Sequence, residues 1–272
     1  MRAASQRIRP PAVAGMFYPR DPSELRRMTG EYLRDARPEA GSTPKAIIAP
    51  HAGYIYSGPI AASAYARLSP ARDFVRRVIL IGPAHRVAVR GLAATSDEFW
   101  ATPLGDVRVD QEAVRQIQSL PQVCVMDEAH AQEHSLEVHL PFLQVVLADF
   151  KIVPLVVGSA NYQEVAEVIE ALWGGDETRF VISSDLSHYH DHASARGLDA
   201  ATAEAIESLR PEDIAETQAC GRTPICGLLQ TARRRGLRAR TVDLRNSGDT
   251  AGPRNKVVGY GAWVFEGGAA PA

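Results

Sequence analysis

Three histidines follow three short apolar runs: His51 in AIIAPHAGY, His85 in VILIGPAHR and His188 in FVISSDLSHY, the last with Asp185 just ahead of it. Imidazole binds transition metals and moves protons near neutral pH, and a neighbouring carboxylate fixes its orientation or shares its proton. If the runs are parallel strands of an open sheet, their carboxyl ends meet along one crevice, where side chains distant in sequence come together. The pattern points to a metal site or an acid–base site.

His51 and His85 each lie past a proline-interrupted strand end and are expected as metal ligands; the alternative is a pair of loop caps whose ring N–H groups bond nearby carbonyls. Asp185 and His188 share one side of a first helical turn if a helix starts there, as a general acid–base and the carboxylate that orients it. Ser184 or Asp185 acting as a helix N-cap explains the same residues. In EHSLEVH, Glu133, His134, Glu137 and His139 crowd together, but His134 and His139 lie about 140° apart on a helix, so this is not an HExxH zinc site. His134 and Glu137 are expected behind the ligands or as caps, with Leu136, Leu140 and Leu143 on the buried face. Cys220, in QACGRTPICG, precedes a helix whose N-terminus would lower its pKa, and a thiolate there suits a borderline metal beside two imidazoles. Cys226 reads as a small core residue, and His190 and His192 as members of a polar loop.

Those residues need elements to position them. Strand-like and helix-like segments alternate along the chain, the pattern of an α/β architecture. Asp21 and Pro22 open a helix with Leu25, Met28 and Tyr32 along one face. The stretch 36–45 reads as a linker into the buried strand at 46–49, followed by a helix entered at Ser57 and Gly58 and ended by Ser69-Pro70. Val78 to Ile81 repeats the strand, broken by Gly82-Pro83. SDEFWATPLGDVRVD reads as a hairpin insertion, 110–119 as a short helix, and the chain as helical again from about Ser135. IVPLVVG and Phe180–Ser183 are expected as further strands, 193–209 and 223–235 as helices, and VVGYGAWVF as a closing strand. The whole, 1–272, reads as one domain with flexible ends at 1–12 and 267–272.

Composition bounds the function. At 272 residues and 45% apolar content the chain supports a sizeable core, and a formal charge of −2 provides no field for nucleic acid or an anionic membrane. The basic cluster at Arg233, Arg234, Arg235, Arg238 and Arg240 reads as a solvated helix end. Three cysteines at uneven spacing do not make a disulfide framework, and no run reaches transmembrane length, so a cytoplasmic location is expected. Phosphate loops, a GxSxG elbow and CxxC pairs do not occur.

AGMFYPRDPSEL, PHAGYIYSG, GPAHR, EHSLEVHLPF, SSDLSHY, ACGRTPI and SGDTAGPRNKVVGYGA, in that order over nearly the whole chain, resemble the Memo family, whose microbial members are also called AmmeMemoRadiSam system protein B. The resemblance implies a single-domain α/β/α sandwich similar to the LigB-type class III extradiol dioxygenases, whose non-haem iron sits at the strand ends. By position it makes His51, His85 and Cys220 metal ligands, brings Asp185 and His188 to the same pocket, and has Tyr54 line it. Iron is the cofactor it implies first; Cys220 in place of the dioxygenases' carboxylate brings in copper, while Asp185 could instead complete a facial triad. It also implies a link to AMMECR-domain and radical SAM proteins. The animal members carry Trp-Tyr where this chain has Phe17-Tyr18, so their phosphotyrosine binding is not carried over.

The leading expectation is therefore a metal-binding oxidoreductase, dioxygenase-like, with His188 as general acid–base and Tyr54 and His134 facing the substrate. Its rival is a non-enzymatic module that grips a peptide or other partner in the same pocket. A third reading makes Cys220 the nucleophile of a metal-independent hydrolase with His188 as base.

Overall fold

Apolar runs with no polar alternation belong where a sheet is covered on both faces, and here they form its centre. The computed structural model describes residues 6–36 and 43–267. Its strands are β1 (Ile8–Arg9), β2 (Ala46–Ala49), β3 (Arg77–Pro83), β4 (Leu92–Ala94), β5 (Phe99–Trp100), β6 (Val107–Val109), β7 (Val123–Val125), β8 (Lys151–Val157), β9 (Thr178–Ser183), β10 (His188–His190), β11 (Leu237–Asn246) and β12 (Val257–Gly267). Its helices are α1 (Pro22–Asp35), α2 (Tyr54–Tyr65), α3 (Gln111–Ile117), α4 (Asp127–Ala131), α5 (Leu140–Val146), α6 (Tyr162–Ala171), α7 (His192–Glu207) and α8 (Arg222–Arg234).

The sheet order is β1-β5-β6-β8-β3-β9-β2-β12-β10, with β11 on β12 and β4 joining β7 to β8. From β6 through β2 the neighbours are parallel, and β12 closes the block antiparallel to β2. Every residue of β2 and β9 is buried, as is all of β3 and β8 beyond the first position. Helices supply the cover in two sets: α1, α2 and α5 pack together, as do α3, α6 and α8. This is a mixed α/β fold around one large sheet. No described helix is long and apolar enough to cross a membrane.

Several expectations meet a correction. The second helix begins at Tyr54, not at Ser57 and Gly58, because its first turn is anchored from outside: Tyr54 N–H donates to Phe17 O and Ser57 Oγ to Ala52 O. Gly58 serves packing instead, since a Cβ there would sit 2.6 Å from the Tyr32 ring of α1. Gly82-Pro83 does not break β3, which pairs with β8 as far as Pro83–Val157. Helical structure after Ser135 starts at Glu137 as a 3-10 turn. His188 opens β10 rather than riding a helical turn with Asp185, and the N-cap of α7 is Asp191, which accepts from Ala193 N and Ser194 N.

The N-terminus is corrected too. Ile8–Arg9 pairs with β5, and Arg9 is 2% exposed, ion-paired with Glu137 at 2.7 Å and lying over the Trp100 ring. Glu137 also accepts from Ala12 N, Val13 N and Tyr18 Oη. It therefore ties down the N-terminal segment instead of standing behind His134. Residues 1–5, most of the 36–45 linker and the tail at 268–272 lie outside the described residues.

Candidate metal centre

Because β2, β9 and β3 are adjacent and parallel, with Ala49 opposite Ser183 and Ile81 opposite Ile182, the loops that leave them share one edge of the sheet. His51 follows β2, Asp185 follows β9 and His85 follows β3. His134 arrives from the loop after α4, and Cys220 from the turn before α8. His51, His85 and His134 each offer a ring nitrogen, and these atoms lie within 4.8 Å of one another. The ring centroids stand 5.1 Å apart for His51 and His85, 5.5 Å for His51 and His134, and 4.7 Å for His85 and His134. His51 is buried at the floor, while His85 reaches solvent at the mouth. The Phe17 ring packs against His134 at 4.8 Å and forms a wall.

Hydrogen bonds determine which nitrogens are free. Ser183 Oγ donates its single proton to Ser135 O at 2.6 Å, so both imidazoles that touch it must donate to it: His51 Nδ1 at 2.7 Å and His139 Nε2 at 2.8 Å. His139 Nδ1 is then an acceptor, and the Tyr65 hydroxyl meets it at 2.8 Å. The network assigns His51 its Nδ1–H tautomer and leaves Nε2 with a free lone pair. Burial first, then the neighbouring His85 and His134, holds His51 well below its usual pKa and keeps it neutral. Burial likewise takes His139 down to about 3.

Glu133 does the same for His85. Its carboxylate accepts from His85 Nδ1 at 3.0 Å and His85 N at 2.6 Å, and from the backbone N–H groups of His134 and Ser135. Burial opposes its charge, yet the hydrogen bonds from His85 and Ser135 outweigh that and bring its pKa down to about 2. His134 Nδ1 is buried without a hydrogen-bond partner, 3.3 Å from Glu133 Oε1 but not aligned with it. Three converging imidazoles, two with their second nitrogen anchored and one with an orphaned nitrogen, suit a transition metal.

Cys220 stands beside this group, its Sγ 3.4 Å from His51 Nε2 and accepting from Asp185 N at 3.3 Å. The expected lowering of its pKa by the helix end is overturned: burial, with the Asp185 carboxylate adding to it, pushes the thiol up to about 12. Asp185 Oδ1 accepts from His51 N at 2.8 Å and makes no hydrogen bond to His188 among the described residues, so the carboxylate orients His51 instead. Burial raises the Asp185 pKa. His188 is half-buried nearby, and its charge acts on both Asp185 and His51. Tyr54 belongs to the core: its hydroxyl donates to Val138 O, and its ring lies between Tyr18 and Phe142.

Sequence reasoning undervalued His134 and did not foresee Glu133 or Ser183 as anchors. Their signals were present as an acidic residue directly before His134 and a serine ending a buried strand.

A family model described as Memo-like protein matches residues 9–264. Among curated proteins, a MEMO1 family protein of Aquifex aeolicus is 38% identical over 95% of this chain and 99% of its own length. One from Archaeoglobus fulgidus is also 38% identical, with the same coverage. A crystal structure of an uncharacterized protein from Escherichia coli K12 superimposes with a TM-score of 0.51 at 14% identity, covering 83% of this chain and 100% of that one, a likeness of fold alone.

Proposed function

Because this chain belongs to the Memo family, we propose that its histidine cluster binds a redox-active transition metal, iron or copper, and that the protein is a metal-dependent oxidoreductase. The observation that carries this reading is the hydrogen-bonded anchoring of His51 and His85, which turns their other ring nitrogens toward His134. His51, His85 and His134 would hold the ion, and Cys220, beside His51 Nε2, would add a thiolate. When bound, the metal would supply Lewis acidity and one-electron chemistry to a ligand entering from the mouth.

The protein's own groups have distinct tasks. Ser183 and Glu133 keep the ring protons of His51 and His85 on the nitrogens facing away from the ion. Asp185 fixes the backbone of His51. His188, partly open to solvent beside Asp185, is the group placed to take or return a proton. Phe17 walls off His134 from one side.

Metal content measured by mass spectrometry on anaerobically purified protein tests this. Near-stoichiometric iron or copper that disappears in His51→Ala supports it. A wild-type chain without metal, or equal metal in the variant, overturns it and favours a module that grips a peptide in the same cleft.

A further inference from the structure

The opposite end of the parallel block carries a second feature, independent of the histidines. A cavity of about 660 Å³ opens where β2 and β9 begin and β12 ends, and its ionisable lining comprises Lys45, Arg179, Arg234 and Arg235 against Glu170 and Asp176. Cations outnumber anions, and the most buried ionisable member is the cation Arg179.

Arg179 is 5% exposed, yet its guanidinium bonds only the carbonyls of Asp176 and Thr178 through Nη1, and its buried Nε has no partner. Lys45 Nζ donates to the carbonyl of Gly175 at 2.7 Å and to that of Thr178 at 3.0 Å. The two cations thus share one acceptor, Thr178 O, and neither has a carboxylate partner among the described residues. Arg235 stands near them, over the same Trp173 ring as Lys45, and Glu170 occupies its guanidinium. Burial, and after it the charge of Arg179, brings the Lys45 pKa down to about 8. The Asp176 and Glu177 carboxylates act on both cations without touching either, and a buried guanidinium without a direct ion pair is costly. Solvation of a helix end, the reading of the arginine run in the sequence, accounts for Arg234 and Arg235 but not for Arg179, which is a strand residue.

We propose that this cavity is a binding site for a small phosphate-bearing anion, held by Lys45, Arg179 and Arg235. Backbone carbonyls already orient buried Arg179 and half-buried Lys45, so the anion would meet preorganised donors and complete their charge balance. Glu170 competes with it for Arg235.

Calorimetric titration of the full chain with pyrophosphate and with inorganic phosphate, at fixed ionic strength, is the test. Saturable one-to-one binding is expected, tighter for pyrophosphate, weakened about tenfold or more in Lys45→Met and strengthened several-fold in Glu170→Gln. The gain in Glu170→Gln cannot come from misfolding, and circular dichroism checks the Lys45 variant. Binding unchanged in His51→Ala places the anion away from the histidines. No saturable binding, wild-type affinity in Lys45→Met, or loss of binding in His51→Ala overturns the proposal.

Discussion

Asp185 holds His51 by its backbone: Oδ1 accepts the His51 N–H at 2.8 Å, while the ring reaches past it to Ser183 on one side and Cys220 on the other. Backbone and ring are thus fixed by different partners, and each can be removed separately.

Ser183→Ala removes the acceptor shared by His51 Nδ1 and His139 Nε2, leaving two buried N–H groups unpaired. Stability should fall by about 1–3 kcal/mol. Metal affinity should fall roughly tenfold to a hundredfold as His51 loses its enforced tautomer. Chemical denaturation and a chelator competition titration measure the two effects; unchanged metal affinity would remove Ser183 from the site.

Glu133 has a folded pKa of about 2 against an ordinary 4.5. A depressed carboxylate contributes stability that is fully present above its unfolded pKa and is lost as pH falls toward the folded one, here from about 4.5 down to about 2. The contribution is on the order of 3 kcal/mol. Acid titration followed by circular dichroism should show this loss in the wild type and a flatter profile in that window for Glu133→Gln.

His139, down at about 3, is a base whose folded pKa lies below its ordinary 6.5. It stays neutral in the fold and takes up a proton on unfolding, so its contribution is intact above pH 6.5 and declines at lower pH, by about 1.4 kcal/mol per unit, until the folded value is reached. His139→Gln should flatten the dependence of unfolding free energy between pH 7.5 and 5, whatever it costs at pH 7.5. A slope equal to that of the wild type would contradict the burial of a neutral ring.

Cys220→Ser tests the thiolate. Metallated wild-type protein should show a sulfur-to-metal charge-transfer band that the variant lacks, and the variant should lose copper affinity more than iron affinity, since sulfur favours the softer ion. Identical spectra would leave Cys220 as a wall of the cleft.

Glu137→Gln leaves Arg9 as a buried charge without its partner and weakens the clasp on Ala12, Val13 and Tyr18. A cost of about 3–5 kcal/mol is expected. Limited proteolysis should cut near residues 10–18 faster in the variant, and metal binding should weaken as Phe17 loses its seat on His134.

Local pattern carried most of the architecture. Uninterrupted apolar runs revealed β2, β3, β8 and β9, and Asp21 with Pro22 marked α1. β11 escaped because LRARTVDLRN alternates charge with apolar residues at an outer position, where only one neighbour, β12, pairs with it. The meeting of His51 and His85 followed from parallel strands sharing an edge, while the strand order itself rests on long-range pairings that local pattern does not carry. His134 did not follow, because its place depends on how a loop lies across that edge, and loop geometry leaves no periodic trace. Tyr54, which the family resemblance implied would line the pocket, lies in the core instead, because the Val138 carbonyl that takes its hydroxyl comes from a distant segment.

β2, which leads directly to His51, is made well before its neighbour β12, with Ile48 opposite Trp263 and Ala46 opposite Phe265. Its other neighbour, β9, lies more than a hundred residues downstream. On the ribosome neither partner exists when β2 emerges, so one of its edges waits for β9 and the other for β12. Contacts of such long sequence separation form slowly. Asp185 and Cys220 come after β9 in the chain, so the full set of groups around His51 comes together only once β9 has been made.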